Sequence, residues 1–445
     1  MCEAHGNDKN YDFYWGEQWD EYNQYAKAGL HKTAIVSTIL GWRKAMGDKK
    51  ALARIFANCI EEQSHNGSHP AWCEFTKRGF NLGRQGAILR GQYTLFREHA
   101  LAIKDENPTP QLWILKAQQS FNQVGISMIS VSDDDLVDDA ATLEWMKKEI
   151  PDGTWTLQEY VMHPALYGER KFDMRVWAMI TSTDPLRIVL NRKFMPKIST
   201  KHYSTSIDTM KDSCMHFKMP MGTECKKEFL PDPYPEHTCK SMFYRNVKFE
   251  RPVFDTAEFW NRVVVPQVER VITLVVLLSR HEPLALHRAL LREGADFRRF
   301  LFLSPDFIID SKGRAYLVEM NTNGFMPGDD VLYKMQKDTA DAIHLLGADG
   351  WPHYPEYRAK FEELWRGFCA STSSCDGFSD DKAKHAALEL VHEEIHAFPS
   401  AWYRIYPSMF TDEHEQVQAL NPEEFVSPLD EVLRDFLRYR ASLPG

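Results

Sequence analysis

The most informative stretch of this sequence reads RKFDMRVW and occupies residues 170–177. Its charged and apolar side chains alternate, as they do in a β-strand, where successive side chains point to opposite faces. Lys171, Asp173 and Arg175 therefore share one face of the predicted strand, and apolar side chains cover the other. Such a strand is typical either of a sheet with a solvated charged face or of a polar functional site. The motifs around it favour the second interpretation.

A second polar group is predicted from two later strands, residues 304–309 and 315–321, which are joined by the turn sequence DSKG. Glu319 and Asn321 are two residues apart, so they share one strand face. An antiparallel pairing of these strands would bring Asp306 close to both. Two carboxylates and an amide oxygen are hard ligands that suit Mg²⁺ shared with nucleotide phosphates, and they do not suit zinc. A polar sheet face without a metal is the alternative.

Two further segments fit a nucleotide site. Lys116 ends the apolar strand predicted at residues 112–115, where its ammonium group can meet phosphate oxygens as a point charge. The sequence TLQEYV at residues 156–161 is a candidate linker strand whose backbone and polar side chains could read the edge of an adenine ring. Each segment is a weak signal alone, and its weight comes from its place between the other motifs.

Taken in order, these pieces resemble the tubulin tyrosine ligase-like family, a branch of the ATP-grasp ligases. The matching blocks are QEYV (158–161), RKFDMRVW (170–177), DPLRI (184–188), DFIID (306–310) and LVEMNT (317–322). They span roughly residues 111–330 in the order and spacing of the family. The resemblance implies an α/β (α+β) chain with an ATP-grasp fold, built from N-terminal and central subdomains and followed by a helical C-terminal extension.

The chain is divided where its composition changes. The stretch NPTP at residues 107–110 ends a mainly helical beginning. In the extension, helices are predicted to begin after Ser379 and after Ser427. The predicted domains are an N-terminal domain (1–106), a central ATP-grasp subdomain (107–185), a C-terminal ATP-grasp domain with the metal site (186–345) and the helical extension (346–445).

The resemblance also implies an activity. Ligases of this kind form an amide bond: ATP phosphorylates a carboxylate, and an amine then attacks the acyl phosphate. The expected cofactors are ATP and Mg²⁺. The expected partners are an amino acid and a protein or peptide acceptor, of which a tubulin tail would be one. A cytoplasmic, cytoskeletal protein that binds neither nucleic acid nor membrane would fit these partners.

Carried over position by position, the resemblance implies roles for residues of this chain. The cofactor-binding residues, which would hold phosphates and frame the adenine, are Lys116, Gln158, Glu159, Val161, Lys171 and Asp173. The Mg²⁺ ligands would be Asp306, Glu319 and Asn321. The catalytic residues would be Arg175 and Lys171, and Arg175 would steady the transferring phosphoryl group or a substrate carboxylate. Besides Arg175, the substrate would contact Lys197, His216 and Lys218.

The chain departs from the family pattern around the phosphates and the substrate. Its phosphate loop, KAQQSFNQVGI at residues 116–126, lacks the family's arginine and one glycine, and a lost glycine limits how closely backbone N–H groups approach a phosphate. The sequence HFKM at residues 216–219 replaces the family's His-x-Thr-Asn, and Lys197 stands where an arginine is usual. A lysine lacks the bidentate fork that an arginine offers a carboxylate. A catalytically inactive module that binds nucleotide or protein is therefore the alternative function.

The net charge and composition of the chain restrict the classes of partner and compartment that are expected for it. The 445 residues include 53 basic and 63 acidic side chains, so the net charge is −10 and general binding to nucleic acid is disfavoured. The longest apolar run, residues 271–278, is shorter than the roughly 20 residues that a bilayer span needs. The polar N-terminus predicts no targeting segment. The eight cysteines form no C-x-x-C pair, so we expect reduced thiols, including those of Cys214, Cys225 and Cys239.

Two other patterns compete for a functional role. HEEIH at residues 392–396 matches the H-E-x-x-H helix of zinc peptidases, with His392 and His396 as ligands and Glu393 as general base. No third ligand is evident downstream in the sequence, so an ordinary packed helix is the favoured interpretation. The basic stretch at residues 187–201 predicts either a solvated hairpin or a groove for an acidic acceptor.

Overall fold

The structure is a computed structural model that describes residues 13–14, 35–37, 41–64, 73–82, 89–117, 125–216, 249–292, 298–322, 355–375, 380–397, 400–408 and 427–443. Within these ranges the chain forms two sheets covered by helices, which is the α+β class expected from the sequence. No helix in the described ranges has the length and apolar character that a membrane crossing requires.

The strands are β1 (Phe13–Tyr14), β2 (Ile35–Ser37), β3 (Gly79–Leu82), β4 (Gln111–Ala117), β5 (Ile126–Val131), β6 (Trp155–Glu159), β7 (Leu166–Tyr167), β8 (Arg170–Thr183), β9 (Leu186–Ile198), β10 (Arg298–Ile309), β11 (Ala315–Asn321) and β12 (Trp402–Tyr406). The α-helices are α1 (Lys49–Ser64), α2 (Leu89–Ala102), α3 (Asp139–Glu149), α4 (Ser213–His216), α5 (Ala257–Phe259), α6 (Val265–Leu278), α7 (His281–Arg292), α8 (Pro355–Ser371), α9 (Asp380–Ala397) and α10 (Pro428–Ser442). Two π-helical turns, Arg43–Gly47 and Trp260–Val264, precede α1 and α6.

The larger sheet contains the strands predicted to form the metal site. Its order is β1-β2-β10-β8-β9-β12, with β11 paired to β10 and β7 paired to β8. Strand β8 runs antiparallel to both β9 and β10. Its apolar residues Phe172, Met174 and Val176 are buried in the main core, on the face that the sequence alternation predicts. The charged side chains of β8 therefore lie on the opposite face.

Helix α6 lies within the main core. Val268 and residues 271–277 are buried, so the helix is apolar on almost all sides, as an interior helix is expected to be. The sequence predicts one helix over residues 256–279, whereas the structure divides it into α5, a π-helical turn and α6. Pro266 lies within this continuous helical run and has no N–H to donate, and the π-helical turn directly before it is where the regular hydrogen-bond pattern changes.

The smaller sheet has the order β3-β6-β4-β5, and each neighbouring pair is antiparallel. Its core is aromatic: Phe96 of α2 stacks on Trp145 of α3 with 5.4 Å between ring centroids. Trp113 of β4 meets Phe96 edge-on at 4.7 Å. This packing holds β4 and β6 in place, and strand alternation directs Lys116 and Gln158 away from the aromatic core.

The C-terminal extension is mostly helical in the described ranges, as predicted, but it also contributes β12, which pairs antiparallel with β9 of the larger sheet. Helix α10 begins after Ser427, whose backbone N–H donates to Asp430 Oδ2 at 2.8 Å. Leu433 and Phe436 of α10 are buried in a separate core, where the Phe436 and Trp365 ring centroids are 5.6 Å apart. The extension therefore packs around its own apolar cluster.

Buried ion pairs fasten the extension to the rest of the chain. Arg187 of β9 is 0% exposed and donates to Glu389 at 2.7 Å and Glu393 at 3.0 Å, both on α9. Arg280, which follows α6, pairs with Asp430 of α10. A basic groove that includes Arg187 is therefore wrong, because the extension covers this residue. The same contact buries Glu393, so this part of the HEEIH helix is packed, as favoured from the sequence.

The expectation of reduced thiols is wrong at the described cysteines. Cys59 of α1 is disulfide-bonded to Cys73, Cys369 of α8 is bonded to Cys375, and Cys214 is also disulfide-bonded. The fold brings the Cα atoms of the first two pairs to 5.8 and 5.5 Å, within the range that a disulfide spans. Separations of 14 and 6 residues along the chain do not reveal this proximity.

Candidate nucleotide and metal site

A row of polar side chains crosses three strands of the larger sheet. Arg175 of β8 lies opposite Asp306 of β10, and Asp306 lies opposite Glu319 of β11. The predicted antiparallel pairing of the last two strands is confirmed. Asn321 lies opposite Ser304, and its Nδ2 donates to the Ser304 carbonyl at 3.1 Å. This bond uses the nitrogen of the Asn321 amide and leaves its oxygen as the atom suited to a cation.

A cleft that is partly open to solvent lies between the two sheets and the start of α1. We call it the intersheet cleft. Lys116 and Gln158 line it from the smaller sheet, Glu319 lines it from the larger sheet, and Lys49 lines it from α1. The topology thus brings together residues from four separate parts of the chain.

A β-bulge directs two consecutive residues of β11 toward the intersheet cleft. The register with β10 shifts directly after Asp306. Leu317 and Met320 are three residues apart, yet both belong to the main core. The two residues between them, Val318 and Glu319, line the cleft. Bulges re-aim side chains in this way and are frequent beside functional sites.

Asp306 is held by two cations. Arg175 donates to both carboxylate oxygens, from Nε and from its second guanidinium nitrogen, each at 2.8 Å, and Lys197 Nζ lies 2.5 Å from Oδ2. Asp306 is only 4% exposed. Burial acts to raise the pKa of Asp306, but Lys197 and Arg175 outweigh it and hold the pKa below its usual range. The carboxylate is therefore ionised and already neutralised.

Lys116 has a different environment. Its Nζ donates to Gln158 Oε1 at 2.6 Å and to the Val318 carbonyl at 3.4 Å. Gln158 is oriented in turn by donating to the Lys77 carbonyl at 2.9 Å. Burial lowers the pKa of Lys116 to about 8, and the attraction of Glu319 only partly opposes this. An anionic ligand beside Lys116 would restore its preference for the charged form.

Lys49 is a residue of the cleft that the sequence reasoning missed. Its Nζ donates to the Ala117 carbonyl at 3.3 Å, and burial lowers its pKa against the attraction of Glu319. A lysine is unfavourable at the start of a helix, where the dipole is positive, and this anomaly is the signal that could have found it. Gly47 lets the preceding turn pack on the end of β11, since a Cβ there would lie 2.8 Å from Thr322 Oγ1.

Lys171 and Asp173 lie beside the polar row on the same face of β8. Lys171 Nζ donates to the His216 carbonyl at 2.7 Å and lies 3.6 Å from Asp173 Oδ1. Within the described part of the chain, that buried oxygen has no hydrogen-bond partner. Buried polar atoms are normally satisfied, so Asp173 is suited to a polar ligand or a cation.

The side chain of His216 belongs to a buried network. Its Nδ1 lies 3.0 Å from the Tyr160 hydroxyl, and its Nε2 lies 3.2 Å from the Thr209 carbonyl. Burial, together with the charge of Lys171, lowers the pKa of His216 to about 4, so the ring is neutral near pH 7. His216 therefore supports Lys171 through its carbonyl, and a contact between its side chain and substrate stays a prediction.

Gln158 and Glu159 point in opposite directions, as neighbours on a strand do. Glu159 is 5% exposed and pairs with Lys77 at 2.5 Å and His99 at 2.9 Å. Burial acts to raise the pKa of Glu159, but His99 and Lys77 hold it below its usual range. Because this carboxylate is occupied away from the cleft, a contact with adenine would have to use the backbone of Glu159.

An apolar patch lies next to the intersheet cleft. Val161, Ile308 and Tyr316 form a small buried cluster, and Val318 packs against it. Since Val318 also lines the cleft, the patch adjoins the cleft. Apolar side chains close to buried lysines suit a nucleobase joined to phosphates.

The donor set at the polar row fits a shared Mg²⁺. Among the described residues, no group of three or more His, Cys, Asp or Glu could hold a metal ion. The row instead supplies two carboxylates, Asp306 and Glu319, and the amide oxygen of Asn321. Mg²⁺ takes about six oxygen ligands and usually keeps waters and substrate phosphates among them. These residues therefore suit an ion shared with phosphates, and they do not suit a closed structural site.

The zinc-peptidase pattern gains no support from the described residues, because Glu393 is 1% exposed and paired with Arg187 at 3.0 Å. A general base needs access to water and substrate. The side chain of His396 lies outside the described residues, as do residues 118–124 of the phosphate loop, Lys218 and Met219 of the HFKM sequence, Cys225, Cys239 and Ser379.

The two sheets and the cleft between them define an α+β protein of the ATP-grasp type. The Tubulin-tyrosine ligase family model matches residues 53–339, which is more than half of the chain. This match contains the polar row, Lys116 and Gln158. The chain belongs to the Tubulin-tyrosine ligase family.

Individual relatives are distant and longer than the matched part. The chain is 24% identical to Tubulin monoglycylase TTLL3 of Danio rerio over 273 residues, which is 58% of this chain and 33% of that protein. It is 26% identical to Tubulin polyglutamylase TTLL6 of Mus musculus, over 45% of this chain and 24% of that protein. A third relative, Probable tubulin polyglutamylase ttll-9 of Caenorhabditis elegans, is 22% identical over 56% of this chain and 54% of that protein. The chain thus spans about a quarter to a half of these relatives.

Proposed function

We propose that this protein is an ATP- and Mg²⁺-dependent ligase that joins an amino acid to a protein or peptide acceptor through an acyl phosphate. The bond formed would be a peptide or isopeptide amide. The observation that carries the proposal is the polar row Arg175–Asp306–Glu319, whose end residue Glu319 lines the same cleft as the buried Lys116. Phosphoryl transfer needs mainly positioning and charge neutralisation, and this arrangement supplies both.

The nucleotide would lie along the intersheet cleft. Lys116 and Lys49 would hold phosphate oxygens, because the first is a buried and the second a half-buried ammonium group, and burial lowers the pKa of each, which favours an anionic partner. Lys171 would hold a further phosphate oxygen from β8. The Val161 patch and the amide of Gln158 would accommodate the base.

The residues that would hold the ion are Asp306, Glu319 and Asn321, with Asp173 nearby. When bound, Mg²⁺ would supply neutralisation of the phosphate charge. Arg175 would orient Asp306 and present its guanidinium to the charge that develops on the transferring group, which is the role of an arginine in phosphoryl transfer. The reaction would balance as carboxylate, amine and ATP giving amide, ADP and phosphate.

For the acceptor, the proposal rests on the relatives. Their printed names describe tubulin monoglycylases and polyglutamylases, which supports a tubulin-type polypeptide acceptor and a cytoplasmic, cytoskeletal site of action. Disulfides are more typical of oxidising compartments, so the Cys59–Cys73 disulfide is evidence against a cytoplasmic location. The thiol state of this pair in protein alkylated within intact cells would decide between the two compartments.

The test is a ligation screen read by intact mass spectrometry. Purified protein, ATP and Mg²⁺ are incubated with each amino acid and with tubulin-tail peptides, and both ADP and the acceptor mass are measured. We expect one amino acid to add its residue mass with one ADP per bond, and Glu319→Gln to abolish the addition. Nucleotide binding without any adduct would instead favour the non-catalytic module that the altered phosphate loop suggests.

A further inference from the structure

Lys197 is placed to control the metal end of the site. It lies on β9 opposite Asp173 of β8, and β8 separates it from Asp306 on β10. Its side chain nevertheless reaches Asp306, with Nζ 2.5 Å from Oδ2, and is only 9% exposed. The contact is therefore a buried ion pair that crosses the intervening strand β8. It joins Lys197, which the sequence places at the substrate, to Asp306, which the sequence places at the metal ion.

The positive charges already bonded to Asp306 disfavour binding of a divalent ion in the absence of nucleotide. One carboxylate is shared by two cations, Arg175 and Lys197, and the guanidinium already uses both oxygens. An incoming Mg²⁺ would have to approach Lys197 closely in a site of low exposure. Like charges close to each other repel strongly when water screens them poorly. Glu319 alone does not offset this, because a single carboxylate holds Mg²⁺ weakly without phosphates.

We infer that Lys197 is a positioning residue that makes binding of the divalent ion depend on the nucleotide. Phosphates that extend from the cleft past Glu319 to the polar row would offer Lys197 and Arg175 another anion, which would free Asp306 to accept the ion. Nucleotide and ion then favour each other's binding by the same factor, as thermodynamic linkage requires. This inference rests on the proposed function, and it differs from the substrate contact expected for Lys197 from the sequence.

The test measures binding of Mn²⁺, a spectroscopic substitute for Mg²⁺, from the electron paramagnetic resonance signal of the free ion. Wild type is titrated with Mn²⁺ alone and with ADP, which prevents turnover. We expect ADP to tighten Mn²⁺ binding to wild type at least about tenfold. Lys197→Met should bind Mn²⁺ alone about tenfold more tightly than wild type, so that ADP adds little.

Three further variants separate charge from structure. Lys197→Gln removes the charge while keeping a hydrogen-bond donor, and it should behave like Lys197→Met. Lys197→Arg keeps the cation, and it should behave like wild type. Lys201→Met makes the same charge change at a lysine that pairs with Asp212 at 2.9 Å, and it should also match wild type. Thermal melting confirms that each variant is folded.

The outcomes are distinguishable. If ADP binds wild type but Mn²⁺ affinity is the same with and without it, or if the neutral variants bind Mn²⁺ no more tightly, the role of Lys197 is wrong and the nucleotide site stands. If ADP does not bind wild type at millimolar concentration, the proposed function fails and the inference fails with it.

Discussion

The two sheets that meet at the intersheet cleft hold their buried charges in opposite ways. On the larger sheet, Asp306 is bonded by Arg175 and Lys197, and its pKa is held below the usual range. On the smaller sheet, Lys116 donates to the neutral amide of Gln158, and burial lowers its pKa to about 8. The carboxylate of Asp306 is neutralised before any ligand arrives, whereas Lys116 is a buried cation that bonds only neutral groups among the contacts described above and is attracted by Glu319. The difference indicates that phosphate gains most at Lys116, while an ion at Asp306 must compete with two cations.

The largest expected effect comes from removing a charge from the polar row of the larger sheet. Arg175→Ala removes the cation proposed to act on the transferring group, and Glu319→Gln removes a charge from the proposed ion site while preserving shape. We expect each to lower the ligation rate by roughly a thousandfold or more, because cations at a transferring phosphoryl group contribute on that scale. Arg175→Ala should retain more nucleotide affinity than Glu319→Gln, since the base and ion contacts remain. Rates come from ADP formation, and affinities come from calorimetry.

A matched control is Arg192→Ala, an exposed arginine on β9 whose guanidinium lies 4.8 Å from the Tyr403 ring centroid. It should keep the wild-type rate. Wild-type turnover in either Arg175→Ala or Glu319→Gln would show that the role assigned to that residue is wrong.

A smaller effect is expected from removing the disulfide that holds α1, the helix that lines the cleft through Lys49. The Cys59–Cys73 disulfide fastens α1, which carries Lys49, to the segment that leads into the smaller sheet. Replacing both cysteines by serine removes a cross-link with a sequence separation of 14 residues. A closed loop of this length contributes about 3 kcal/mol to the free energy of unfolding in the chain-entropy description. Urea denaturation measures that loss, and we also expect nucleotide affinity to fall.

The control for this prediction is the Cys369–Cys375 pair, whose separation is 6 residues and which lies in the extension. Its removal should reduce stability less and leave nucleotide affinity unchanged. If the two double variants affect nucleotide affinity equally, the link between α1 and the cleft is wrong.

The parts of the site that could be predicted are those determined by short local sequence patterns. Alternation in residues 170–177 identifies the buried and polar faces of β8, and the turn between β10 and β11 identifies the pairing that joins Asp306 to Glu319. The capping sequence at Ser427 marks the start of α10 in the same way. In each case the neighbouring residues alone determine the feature.

The parts that could not be predicted depend on strand order and register. Lys197 meets Asp306 only because β9 and β10 flank β8, and the two residues are 109 positions apart. Arg187 is buried because a distant helix packs on β9. Lys49 enters the cleft from α1, a segment in which the sequence showed only apolar spacing. The domain boundaries proposed from composition stay a prediction.

The smallest expected effect concerns pH, and it follows from Lys116. Its folded pKa of about 8 lies below that of a free lysine, so in the absence of ligand it loses its proton as pH rises through 8. Bound phosphate favours the ammonium form and raises this pKa again. Nucleotide affinity should therefore be fully present near pH 7 and should fall by up to about tenfold per pH unit above 8. Lys116→Arg, which keeps its charge, should remove this dependence.

The most direct measurement is calorimetric titration of wild type and Lys116→Arg with ADP and Mg²⁺ at pH 8, in two buffers with different ionisation enthalpies. The account predicts binding to wild type with uptake of roughly half a proton, since Lys116 is about half deprotonated at a pH equal to its pKa. It predicts binding without that uptake in Lys116→Arg. Absence of binding to wild type at millimolar nucleotide, or an equal proton uptake in both proteins, would contradict the assignment of the intersheet cleft as the phosphate site.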